Sequence, residues 1–217
     1  KKIGNLKFCQ IKNEKKINLQ KSFLSSIKNR LIFCASSTHP GEEYQIAKTY
    51  LILKKKYKNL LTIIIPRHVD RVKFIKSDLN ELNLTVHSHE DLGKIKRETD
   101  IYLVDTYGKT KSFYNHCKNV FLGGSLISHG GQNPLEAAQF GCNVLHGPNI
   151  FNFSEIYKFL QKNSIAKKVT NQSDMINELD KLFGKKNPTK KIQKKLNSIG
   201  DKILKNSYHE IGKLLKR

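Results

Sequence analysis

The segment Leu60-Leu61-Thr62-Ile63-Ile64-Ile65 constrains the chain most. It is apolar apart from one threonine, rich in β-branched residues, and stopped by Pro66. A strand with one wet face alternates apolar and polar side chains. An unbroken run is what a parallel sheet covered on both faces requires. Parallel neighbours need crossover connections long enough to hold a helix, and the flanking sequence supplies them. Residues 31–35 form a second strand-type run, and residues 42–56 follow with Ile46, Ala47, Tyr50, Leu51 and Leu53 close to helical period. Residues 70–83 carry Val72, Ile75, Leu79 and Leu82 on one stripe. Strands are predicted at 85–87, 101–104, 120–122, 143–145 and 166–170. Helices are predicted at 109–117, 133–140 (closed by Gly141), 152–163, 172–183 and 189–217. The last has Ile192, Leu196, Ile199, Ile203 and Leu204 on one face. This alternation predicts an α/β fold, a parallel sheet flanked by helices.

The formal charge of +22 is concentrated at the ends. Residues 1–30 hold nine basic and one acidic side chain, and residues 185–217 eleven and two. The chain therefore divides into a linker or entering segment over 1–30, a core domain over 31–184, and a basic C-terminal helix over 185–217 that packs back on the fold. No apolar run reaches the roughly 18–20 residues of a membrane span, and no signal-peptide pattern opens the chain. Because it starts at Lys1, the sequence reads as a segment of a longer protein. The cysteines (Cys9, Cys34, Cys117, Cys142) are widely spaced, and neither they nor the histidines show metal-ligand spacing. Cys34 and Cys142 lie in apolar runs, which points to reduced, buried thiols in the cytosol. The basic ends fit compositional drift or an anionic membrane surface. A nucleic-acid partner is not expected, since no aromatic-interleaved basic stripe or zinc-finger spacing occurs.

Four loops follow predicted strands, where ligands bind in open parallel sheets. Thr38-His39-Pro40-Gly41-Glu42-Glu43 offers hydroxyl and amide donors to an anion, or is an ordinary helix cap with acids complementing the dipole. Pro66-Arg67-His68 places a guanidinium where it can pair with phosphate. In Asp105-Thr106-Tyr107-Gly108 the aspartate is expected to hold its own loop. In the stretch from Gly123 to Glu136, Gly123, Gly124 and Ser125 are candidates to approach a phosphate. Asn133 is the expected N-cap, Pro134 the first helical residue, and Glu136 either a ribose ligand or half of a capping box.

These residues come together as a resemblance. Gly4-Asn5-Leu6-Lys7-Phe8, Ala35 to Glu43, Ile65 to His68, Asp105 to Gly108, Phe121 to Leu126, Gly130 to Glu136 and Gly147 to Phe153 stand in order. The set resembles the C-terminal half of the Kdo transferases, which move 3-deoxy-D-manno-octulosonic acid (Kdo) from CMP-Kdo to a lipid A precursor in lipopolysaccharide biosynthesis. The resemblance implies a Rossmann-like, donor-binding domain of a GT-B glycosyltransferase. It implies CMP contacts at Pro66, Arg67, Tyr107, Gly108, Lys109, Asn133, Pro134, Leu135 and Glu136; the loop chemistry above adds Thr38, His39, Gly123, Gly124 and Ser125 as further phosphate or donor contacts. Where the family usually has Gly-Glu-Leu, this chain has Gly108-Lys109-Thr110, so a backbone contact is expected at 109. The base would lie in an N-terminal domain, leaving no catalytic residue here. No metal or cofactor is expected. The implied partners are CMP-Kdo, the lipid acceptor, the N-terminal domain and the cytoplasmic face of the bacterial inner membrane. Two rivals stay open: a UDP-sugar epimerase or UDP-GlcNAc transferase of the same architecture, and a non-catalytic basic binding module indifferent to Arg67 and Glu136.

Overall fold

A computed structural model describes residues 19–91, 95–185 and 189–215. Seven strands form one sheet: β1 (Leu31–Thr38), β2 (Leu60–Pro66), β3 (Val86–Ser88), β4 (Ile101–Leu103), β5 (Asn119–Leu122), β6 (Asn143–His146) and β7 (Ala166–Lys168). Their order is β3-β4-β2-β1-β5-β6-β7, and every pairing is parallel. The chain winds outward from β1 through β2, returns, and crosses to the far side of β1 at β5. The switch in winding direction therefore lies between β1 and β5.

β2 is buried along its whole length. Its side chains alternate between two cores: Leu61, Ile63 and Ile65 enter one, Leu60 and Ile64 the other. The second core is closed by α2 (Glu42–Lys56), α3 (Val72–Glu81) and α7 (Gln172–Phe183), through Ile46, Tyr50, Leu53, Ile75, Leu79, Met175 and Leu179. The first is closed by α1 (Lys21–Ile27), α4 (Thr110–Tyr114), α5 (Leu135–Gln139), α6 (Ser154–Lys162) and α8 (Thr189–Leu215). Burying one such aliphatic side chain contributes about 1.5–3 kcal/mol, so the doubly covered strands dominate the stability. Cys34, Cys117 and Cys142 are free and buried.

Two details differ from the sequence reading. Within residues 1–30, the described part holds the helix α1, whose Phe23 and Ile27 are buried in the first core. The motif Gly4 to Phe8 lies outside the described residues. On α8, Ile192, Leu196 and Ile203 are buried, but Leu204 is exposed. It belongs with Tyr208, Ile211 and Leu215 on a second, uncovered stripe. At the amino end of the sheet the Arg30 guanidinium donates to the carbonyls of Asn59, Leu60, Arg97 and Thr99. Asp100 beside it pairs with Lys54.

Candidate functional site

The carboxyl ends of β1, β2, β4 and β5 open into loops that adjoin one another. The Arg67 amide donates to Thr38 O at 2.9 Å, continuing the β1–β2 ladder into the loops. Beyond Pro66, the Arg67 side chain is exposed and has no ion-pair partner among the described residues. The Val69 amide donates to Tyr107 Oη at 3.4 Å, which ties the loop after β2 to the loop after β4. Tyr107 itself is 61% exposed. Gly108 follows at φ 77°, and Lys109 precedes the first residue of α4. Lys111 in α4 then stands 3.7 Å from Glu136 in α5. Arg67, Tyr107 to Lys109 and Asn133 to Glu136 thus lie along one line of contacts.

The hydrogen-bonded ladder of α5 begins at Leu135, and Pro134 already has helical dihedrals (φ −81°, ψ −11°). Asn133 Oδ1 accepts the Leu135 amide at 3.1 Å, so the asparagine caps the turn. Glu136 does not complete a capping box: its side chain is 47% exposed and faces Lys111. Asp105, expected to hold its own loop, instead accepts the Glu90 amide at 3.1 Å and so ties down the loop after β3.

The glycine stretch after β5 departs from its expected role as a phosphate cradle. The Gly123 amide remains in the sheet, donating to Ser36 O at 2.8 Å. The amides of Gly124, Ser125 and Leu126 all donate to the Glu42 carboxylate, at 2.7, 3.1 and 3.0 Å, and the His39 amide joins them at 3.0 Å. The cradle already holds an anion, a side chain of the protein itself. Glu42 has no solvent exposure. Burial pushes its carboxyl upward, and the four amides oppose that shift without cancelling it. Ser125 is likewise committed: its hydroxyl donates to Leu122 O at 2.5 Å and accepts the Gly147 amide at 2.8 Å. Gly123, Gly124 and Ser125 are therefore structural, and their donors are unavailable to a ligand. Gly123 must be glycine, because a Cβ there would stand 2.3 Å from Ser37 O. Thr38 is fully buried, and its hydroxyl has no partner among the described residues.

Above this loop lie three imidazoles. The His39 ring is 4.1 Å from that of His129 and 6.1 Å from that of His68, centroid to centroid. A Cβ on Gly124 would come within 3.0 Å of the His129 ring and 3.2 Å of the His39 ring, so the bare backbone lets both rings settle over the loop. Burial, then His129, His68, Arg71 and Arg67, hold His39 down at about 4, so it is neutral near pH 7. Arg71 is neutralised by a two-point pair with Glu43 at 2.9 and 3.2 Å. Among the described residues, no group of His, Cys, Asp and Glu is arranged to hold a metal ion.

The sheet, its switch point and the loop cluster define the class: this is a Rossmann-like domain with the fold seen in the C-terminal domains of GT-B glycosyltransferases. More particularly, the chain is similar to Kdo transferases. It is 32% identical over 193 residues to the 3-deoxy-D-manno-octulosonic acid transferase of Rickettsia prowazekii, covering 87% of this chain and 41% of that protein. With the enzyme of the same name from Aquifex aeolicus it shares 31% over 192 residues, 88% of this chain and 50% of the other. Among solved structures it matches the C-terminal CMP-Kdo binding domain of WaaA from Acinetobacter baumannii with a TM-score of 0.69 and 26% identity, covering 82% of this chain and 91% of that one. No protein-family model matches the chain. The chain spans half or less of the length of these two transferases.

Proposed function

We propose that the chain is the donor-binding half of an inverting glycosyltransferase that moves Kdo from CMP-Kdo to a lipid A precursor at the cytoplasmic face of the bacterial inner membrane. The observation that carries this reading is the likeness to a CMP-Kdo binding domain over nearly all of that domain's length. The loop cluster supports it, because an exposed guanidinium (Arg67), an exposed aromatic ring (Tyr107) and a half-exposed carboxylate (Glu136) line one edge. In this reading CMP lies across residues 66–67, 107–109 and 133–136. Arg67 takes the charge that grows on the phosphate as its bond to the anomeric carbon breaks. Glu136 accepts from the ribose hydroxyls. A base in the other half of the longer protein removes the proton of an acceptor hydroxyl. That oxygen attacks the anomeric carbon from the face opposite CMP, and the configuration inverts. A guanidinium can supply the positive charge, so the reading requires no metal.

The lipid acceptor brings the domain to a membrane. The exposed apolar stripe Leu204, Tyr208, Ile211 and Leu215 on α8 suits a bilayer surface, and Lys202, Lys205 and Lys213, exposed farther round the same helix, add attraction to anionic lipid. Among the described residues no helix is long and apolar enough to cross a membrane.

Calorimetric titration of the chain with CMP and with UDP tests the nucleotide reading. CMP is expected to bind and UDP not. Arg67→Ala and Glu136→Ala should each weaken CMP binding by about tenfold to a hundredfold, the equivalent of one charged hydrogen bond, with the melting temperature unchanged. EDTA should leave the affinity as it was. Equal binding of UDP would move the assignment to another sugar nucleotide. Unchanged affinity in both variants would remove these loops from the site.

A further inference from the structure

We propose that His39, His129 and His68 form an acid-sugar subsite that takes the carboxylate of the donor's sugar, beside the phosphate position at Arg67. The inference rests on the CMP-sugar reading above and names the part of that site which reads the sugar. Three observations lead to it. First, the backbone donors over the switch point are spent: the amides of Gly124, Ser125 and Leu126 already hold Glu42, and that of Gly123 is in the sheet. An anion arriving there can be met only by side chains. Second, the side chains that stand there are the three imidazoles, with Gln132 Nε2 at 3.4 Å from His39 Nε2. Third, the two carboxylates that follow His39 are already engaged. Of the acids nearby, Glu42 is occupied by amides beneath the loop and Glu43 by Arg71.

The ligand's own connectivity fits this arrangement. In a CMP-linked 2-keto sugar acid the phosphate and the carboxylate hang from the same anomeric carbon, so the two anions need adjacent sites. Arg67 follows β2, His39 follows β1, and the Arg67 amide is bonded to Thr38 O, one residue before His39. A neutral sugar would bring nothing for the imidazoles to bind. The subsite would thus select an acid sugar over a neutral one.

The cluster also carries a proton signature. Facing His39 are His129, His68, Arg67 and Arg71, all of which disfavour its protonation. The carboxylates of Glu42 and Glu43 lie close by in sequence and are both engaged, as above. The rings are crowded by positive neighbours until an anion arrives. Placing a carboxylate among them favours the imidazolium, so the sugar acid should bind with uptake of a proton.

The test titrates the chain with CMP and with a hydrolysis-resistant phosphonate analogue of the CMP-linked sugar acid. CMP's phosphate monoester itself titrates at about 6, so the pH dependence is read on the analogue, whose phosphonate carries one ester and one P–C bond and stays singly charged throughout. His129→Ala and His68→Ala remove exposed rings and are expected to fold; His39→Gln is the buried counterpart. Expected are CMP affinities unchanged within about twofold and analogue affinities reduced by about tenfold, as for one charged hydrogen bond. The wild-type affinity for the analogue should rise by up to about tenfold in all as pH falls from about 6 toward the free His39 value of about 4, with that rise lost in His39→Gln. Equal loss for CMP and analogue, no loss for either, or an unchanged rise in His39→Gln would overturn the subsite. A wild-type chain that binds CMP but gains nothing from the sugar acid would overturn the subsite alone. A chain that does not bind CMP would overturn the nucleotide reading and the subsite with it.

Discussion

The Glu42 carboxylate accepts the Gly124 amide at 2.7 Å, although 82 residues separate them. With the amides of His39, Ser125 and Leu126 on the same side chain, one carboxylate joins the loops on the two sides of the sheet's switch point. The crevice between β1 and β5 is therefore shaped from beneath before any ligand enters.

Glu42→Gln should be costly. The amide side chain keeps one acceptor oxygen and turns an N–H₂ toward amides that themselves donate, so at least one buried donor loses its partner. Each such orphan costs about 1–3 kcal/mol. Urea unfolding should report a loss of about 2–4 kcal/mol on that basis. A variant as stable as the parent would mean that the loop rearranges freely.

Gly123→Ala tests the close approach of the two loops. The added methyl would meet the Ser37 carbonyl and the Thr38 Cα, both of them backbone. Neither yields as a side-chain tip would, so the cost should reach about 3 kcal/mol, the range of overpacked sites. Thermal melting reads it directly, and a shift of less than a degree would contradict the contact.

His39 predicts the direction of an acid limb. Its value is about 4 in the folded chain against an ordinary 6.5. The unfolded chain takes up a proton that the folded one refuses, so stability falls as pH is lowered from about 6.5 to about 4. The melting temperature should drop through that window, and His39→Gln should flatten the drop. An identical profile in the variant would assign the limb to other groups.

For α8, co-sedimentation with vesicles of anionic lipid should capture the chain at low salt and release it as salt rises, because the Debye length shrinks from about 10 Å at 0.1 M to 3 Å at 1 M. Changing Lys202, Lys205 and Lys213 to glutamate should abolish capture while leaving the fold intact. Equal pelleting with neutral vesicles would point to the apolar stripe alone, and no pelleting at low salt would remove the membrane from the reading.

Most of the fold was legible because the central strands are apolar runs and the longer crossovers periodic, whereas the edge strands β3 (Val86–Ser88) and β7 (Ala166–Lys168) carry only a weak signal. The residues 60–65 read as a strand covered on both faces, and β2 is buried throughout. The placement of Arg67 was legible because a residue just past the end of a buried strand is left exposed. The site was illegible where partners are distant in sequence. Glu42 read as a dipole complement, yet its partners in the glycine loop lie 82 to 84 residues away. A signal was present: Glu42 falls on the same helical stripe as Ile46, Tyr50 and Leu53, and an acid on an apolar stripe needs buried donors. For α1, seven residues between polar neighbours give too few turns for a period to show.

The position of β1 at the middle of the sheet has a consequence in time. One edge pairs with β2, and the other pairs Phe33 with Asn119 and Ser36 with Leu122. During synthesis at about 5–20 residues per second, that second edge waits on the order of ten seconds for its partner. Through that interval Phe33, Cys34 and Ala35 stand on an open, apolar strand edge, the kind that invites pairing with another chain. The crevice itself does not exist until the wait ends, because its two walls are the loops that this last central pairing brings together.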